Sequence, residues 1–126
     1  MSIDNEEDLL GLRRAGAVVA RALAAMREAV REGIATEELD EVAARVLRQH
    51  GARSAPNLVY DFPGTTCISV NDEAVHGVPD SRELQKGDLV TLDVTVELGG
   101  YFADAAVTVG VPPVPEVGQR LIACAE

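Results

Sequence analysis

The chain has no tryptophan, and aromatic residues make up only 3% of its 126 positions. Any core it forms must be aliphatic. It has no run of about 18 apolar residues, so no membrane span is expected. Arg13, Arg14 and Arg21 interrupt its most apolar N-terminal stretch. Basic residues are scarce: 11 Lys and Arg stand against 21 Asp and Glu, for a net charge of −10. That argues against a nucleic-acid binder, which presents a basic patch. The opening MSIDNEEDLL is acidic and polar, without the basic and then apolar start of a secretory signal. The two cysteines, Cys67 and Cys124, have no CxxC or zinc-type spacing and are expected to be reduced, as in a cytoplasmic protein. There is no GxSxG, no GxxxxGK and no GxGxxG, so neither a serine-hydrolase elbow nor a phosphate loop is available.

What is present reads as one globular domain over residues 1–126, 47% apolar and 25% charged. Asp4 to Arg31 reads as a helix, with Leu9, Leu12, Val19, Leu23, Met26 and Val30 at roughly helical spacing. Asp4, Glu6, Glu7 and Asp8 crowd its positive end. Thr36 is expected to cap a second helix whose stripe is Leu39, Val42, Ala43, Val46 and Leu47, ending at His50-Gly51. From Ala52 the composition turns to proline, glycine and β-branched residues. Thr66 to Val70 is a short strand; Leu89 to Val96 and Tyr101 to Val109 are strands joined by a tight turn. Residues 116–126 open a further helix with Val117, Leu121, Ile122 and Ala125 on one face, which reads as cut in mid-element.

The paired strands each carry an aspartate, in VTLDVTVELGGYFADAAVTV. Alternation places Thr91, Asp93 and Thr95 on one face of the first strand, and Phe102, Asp104 and Ala106 on one face of the second. A Leu98-Gly99 loop sets Asp93 opposite Asp104. A Gly99-Gly100 loop sets Asp93 opposite Ala106, with Asp104 on the diagonal. Either register leaves the two carboxylates on one face, roughly 5 to 8 Å apart. Like charges that close repel, and Asp is disfavoured in strands. A divalent cation or a shared proton would compensate; a solvated polar face is the alternative. His76, before Gly77 in a loop held by Pro79, is a candidate proton donor or hydrogen-bond partner for a substrate. Phe62 and Cys67 are candidates to line an apolar pocket or simply to pack. Tyr60 reads as structural, and Cys124 as a buried small residue of the last helix.

Three pieces in order carry a resemblance: Cys67-Ile-Ser-Val-Asn71 with Glu73 and His76-Gly77-Val78-Pro79-Asp80, then Lys86-Gly87-Asp88-Leu89-Val90-Thr91-Leu92-Asp93-Val94-Thr95, then Gly100-Tyr101-Phe102-Ala103-Asp104. Together they resemble the type I methionine aminopeptidases of bacteria, over essentially the whole chain. The resemblance implies an α+β fold, half of a pita-bread (creatinase/aminopeptidase) fold, with two helices packed on an antiparallel sheet. It implies a metal-dependent removal of the initiator methionine from peptides and nascent proteins. Asp93 and Asp104 match the first two ligands of a two-metal site, which manganese, iron, cobalt or zinc would suit. His76 matches a histidine that contacts substrate and assists the scissile step. Phe62 and Cys67 match positions lining the methionine pocket, the first being commonly tyrosine.

The family's remaining ligands, a histidine and two glutamates, have no counterpart here. The chain therefore resembles an N-terminal half. The missing half would come from a longer chain, from a separate chain, or from a second copy of this one. A non-catalytic half-fold that self-associates or binds a partner chain, and a proline-directed peptidase of the same fold, are the alternatives.

Overall fold

A computed structural model describes residues 2–126. The first helix, α1, spans Glu6–Ala29. Asn5 caps it, its side chain accepting the Asp8 N–H at 2.9 Å, and Glu6, Glu7 and Asp8 fill the first turn. Its buried stripe is Gly11, Ala15, Val18, Val19, Ala22 and Met26. Small residues thus line the seam, and Leu9, Leu12 and Leu23 flank it half-buried. The second helix, α2, spans Thr36–Gln49. Thr36 is its first residue rather than its cap: the Ala35 N–H donates to Glu38 Oε2 at 2.8 Å, while the Thr36 hydroxyl is engaged with Asp80. A longer-range partner claimed the hydroxyl that local pattern assigned to capping.

Strand β1 (Arg53–Ser54) leads into a one-and-a-half-turn helix, α3 (Ala55–Tyr60). Strand β2 (Cys67–Val70) follows, then the long strands β3 (Leu89–Leu98) and β4 (Tyr101–Gly110), and helix α4 (Glu116–Ala125). All pairings are antiparallel. β4 runs along one side of β3 for its whole length, and β1 and β2 pair with separate stretches of the other side. Among the described residues no helix is long and apolar enough to cross a membrane.

The alternation of β3 decides the layers. Val90, Leu92, Val94 and Val96 are all 0% exposed and pack with Val18, Val19 and Met26 of α1 and Leu39 and Leu47 of α2. Burying each such side chain contributes about 1.5–3 kcal/mol, so this face is the core. Thr91, Asp93 and Thr95 point to the other face, which neither long helix covers. Helix α4 differs from expectation. Val117 and Leu121 are 66% and 60% exposed, and Cys124 is exposed rather than buried. Only Gly118 of this helix is buried, against Val114 and Leu89, so its apolar face turns outward.

Candidate active site

The hairpin loop is Gly99-Gly100, because Leu98 pairs with Tyr101. Asp93 therefore stands opposite Ala106, and Asp104 opposite Thr95. The two carboxylates are diagonal neighbours on the open face. Asp93 is half-buried and Asp104 exposed. The Asp93 carboxyl is pushed up to about 6, first by burial, then by a hydrogen bond and charge repulsion from Asp104, with His76 opposing. A carboxylate pair this close holds a proton into the range where an isolated aspartate has long lost it.

The pair lies in a cleft of about 460 Å3. Phe62, Cys67 and His76 line the same cleft, so all five residues named from sequence converge there. Sequence reasoning missed Tyr60 and Val59, which also line it, as do Thr95 and Phe102 from the face that alternation gave the aspartates. Tyr60 is 79% exposed at the rim; it holds up no core and is not the structural residue expected. Its position depends on α3. That helix had a local signal, Ser54 as N-cap followed by Pro56 in the first turn, hidden in a stretch rich in turn residues.

Cys67 pairs with Asp93 across β2 and β3. Burial pushes its thiol up to about 11, aided by the negative charges of Asp93, Asp40 and Asp104. A thiol so protonated is an apolar wall rather than a nucleophile. The start of β2 is fixed by Asp40 of α2, another residue unseen in the sequence. Its carboxylate accepts the N–H groups of Thr65 and Thr66 at 2.9 and 2.8 Å and the Thr66 hydroxyl at 2.6 Å.

His76 takes a left-handed backbone, φ 56°, a strain that tertiary contacts must hold. They follow at once in Gly77, which lies flat against β2. Its carbonyl accepts the Ile68 N–H at 3.0 Å, and its own N–H donates to Ser69 Oγ at 3.1 Å. A Cβ at position 77 would collide with the Ile68 carbonyl, so only glycine permits the approach. Farther along, Asp80 is clasped by the start of α2: its N–H donates to Thr36 Oγ1 at 2.9 Å, and its carbonyl accepts the Glu37 N–H at 2.9 Å.

The donor set fits a divalent cation in part. Two adjacent carboxylates supply hard oxygen ligands of the right charge, and the ion would relieve their repulsion. No group of three or more His, Cys, Asp and Glu side chains is arranged to hold a metal among the described residues.

The sequence profile of metallopeptidase family M24 matches residues 11–126. The chain belongs to family M24. It is 42% identical over 127 residues to methionine aminopeptidase 2 of Bacillus subtilis (strain 168), covering 100% of this chain and 51% of that protein. It is 40% identical over 124 residues to the methionine aminopeptidase of Clostridium perfringens (strain 13 / Type A), covering 98% and 50% respectively. The crystal structure of methionine aminopeptidase from Rickettsia prowazekii superposes with a TM-score of 0.91 at 33% identity, over 98% of this chain and 50% of that one. This M24 chain therefore spans about half the length of the relatives it matches. Its fold is half of the pita-bread fold, α+β, with the expected long helix pair on an antiparallel sheet and the short α3 and α4 in addition. M24 is a metallopeptidase family, and divalent metal use goes with membership.

Proposed function

We propose that this chain supplies the first half of the active site of a metal-dependent aminopeptidase that removes N-terminal methionine from peptides and nascent proteins. The observation that carries the reading is the juxtaposition of Asp93 and Asp104 in a largely apolar cleft that His76 also lines. Asp93 and Asp104 would hold two divalent ions, with manganese, iron, cobalt and zinc all compatible with carboxylate donors. Such ions, when bound, supply a Lewis acid for the scissile carbonyl and lower the pKa of an attacking water.

The chain's own residues do the rest. Phe62 and Cys67 receive the methionine side chain and exclude water around it, and Cys67 does so as a neutral thiol. His76 donates a hydrogen bond to the substrate near the reacting carbonyl. Thr95 Oγ1 donates to Asp104 Oδ1 at 2.8 Å and fixes how that carboxylate faces the cleft. Two aspartates are too few to hold two ions. The remaining donors come from a second half, consistent with relatives of about twice this length; a second copy of this chain is the other source. The cytoplasm is the compartment that suits Cys67 and Cys124, both unpaired.

The test is methionine release from Met-Ala-Ser with Mn²⁺, by the full-length enzyme and by its Asp93→Asn variant. Loss of release in the variant is expected, because the group removed is one of the two proposed to hold the ions. Undiminished release by Asp93→Asn would sink the reading. Cleavage of an Xaa-Pro peptide in preference to Met-Ala-Ser would instead favour a proline-directed peptidase.

A further inference from the structure

Ser69 makes one side-chain contact that matters for the loop it faces. It lies on β2, 5% exposed, on the same face of the strand as Cys67. Its Oγ accepts the Gly77 N–H at 3.1 Å in a buried setting. Gly77 has no other donor on its backbone, and its carbonyl is already taken by Ile68. The residue before it, His76, is exposed and holds a left-handed φ of 56°. An exposed side chain on a strained backbone has nothing of its own to fix it; the peptide that follows is its anchor.

We propose that Ser69 is a positioning residue for His76, acting through the Gly77 N–H to set the direction in which the imidazole enters the cleft. The geometry supports a lever. The Ile68 N–H and the Ser69 Oγ grip opposite ends of Gly77, so the peptide between His76 and Gly77 cannot rotate while both bonds stand. Losing the Ser69 acceptor leaves a buried N–H unsatisfied. Rotation of that peptide toward another acceptor then swings the imidazole away. The consequence for catalysis rests on the role given to His76 above; the positioning itself does not.

The chain has two histidines, which makes the test direct. His50 ends α2 far along the sequence, with its Nδ1 2.9 Å from the Val46 carbonyl oxygen, and serves as an internal control. Imidazole resonances of both are recorded at one fixed pH in the 126-residue chain, in Ser69→Ala and in Ser69→Thr. Ser69→Ala is expected to displace the His76 signals and leave His50 unchanged. It should also speed exchange of the Gly77 amide by about tenfold, the equivalent of one ordinary hydrogen bond. Ser69→Thr keeps the acceptor and should restore both readings. Unmoved His76 signals in a folded Ser69→Ala chain would overturn the proposal. So would a Ser69→Thr variant whose His76 signals are displaced while its Gly77 amide stays as protected as in wild type, an outcome that counts even where Ser69→Ala does not fold. Methionine release by the full-length enzyme separates the two readings. A displaced imidazole with unchanged kcat leaves Ser69 in its role and removes His76 from the chemistry.

Discussion

Thr95 Oγ1 donates to Asp104 Oδ1 at 2.8 Å, across a rung of the ladder in which the two residues are direct partners. The register that makes Asp104 diagonal to Asp93 is the same one that gives it a hydroxyl neighbour. A carboxylate in a metal site needs one oxygen held so that the other is aimed. Thr95→Val keeps the shape and the strand preference and removes only the donor. If Asp104 holds an ion as proposed, Mn²⁺ affinity of the protein carrying both halves of the site should fall about 10- to 100-fold, read by calorimetry, with the unfolding temperature little changed. Equal affinity in wild type and Thr95→Val would show that Asp104 needs no such support.

Gly11 and Gly16 lie in the same helix and predict opposite outcomes. Glycine inside a helix costs about 0.5–1 kcal/mol relative to alanine, so Gly→Ala is stabilising where space allows. At Gly16 nothing lies within 4 Å of an added Cβ, and Gly16→Ala should stabilise by about that amount. At Gly11 the added Cβ would fall inside the Tyr101 ring. That ring is held in place by the Tyr101 hydroxyl donating to Asp8 Oδ1 at 2.9 Å. Overpacking of this kind costs about 1–3 kcal/mol, so Gly11→Ala should destabilise despite its propensity gain. Urea midpoints of the two variants check the signs; a stabilised Gly11→Ala would mean that the ring moves freely.

The hairpin, its two aspartates and the core face of β3 were legible because a strand has a period of two, and each residue's neighbours follow from alternation. Choosing between the two registers required the loop geometry. The long helices were legible as elements, but α1 buries Gly11, Ala15 and Ala22 at its seam where larger leucines were expected. Close helix-to-sheet approach favours small residues, and hydropathy does not see that. The placing of Asp40 and Tyr60 was not legible. Asp40 meets Thr66 across 26 residues of sequence, and Tyr60 reaches the cleft through a helix of six residues. Cys124 was misplaced for a related reason: an amphipathic stripe shows that a helix has an apolar face, not that the face is covered.

The two thiols should differ sharply in reactivity. Cys124 is exposed and Cys67 buried, and burial with three nearby carboxylates pushes Cys67 up to about 11. The thiolate is the reacting form. Iodoacetamide at pH 7.5 should modify Cys124 in the folded chain and reach Cys67 only once denaturant is added, as read by peptide mass spectrometry. Early labelling of Cys67 would contradict the closed wall that the cleft presents.

The aspartate pair makes a prediction about pH whose sign is fixed. The Asp93 carboxyl is pushed from 3.8 up to about 6 in the folded chain, so between those values the native state binds protons that the unfolded state has lost. Stability contributed by that protonation is complete below about pH 4 and is lost as pH rises through about 6. Glu97 works in the other direction. The Arg53 guanidinium and the Gly100 N–H hold its carboxyl below the ordinary value, so its contribution is present above that value and disappears in acid. The raw pH profile therefore mixes both, and the difference between wild type and Asp93→Asn isolates the pair. Without metal, the urea midpoint of Asp93→Asn should gain on wild type as pH climbs from 4 to 7. If the pair binds an ion as proposed, adding Mn²⁺ at pH 7 should raise the midpoint of the wild type and leave the variant where it was, the ion standing where the proton stood between the two carboxylates. A variant that runs parallel to wild type across this range, with and without Mn²⁺, would mean that the two carboxylates face water independently.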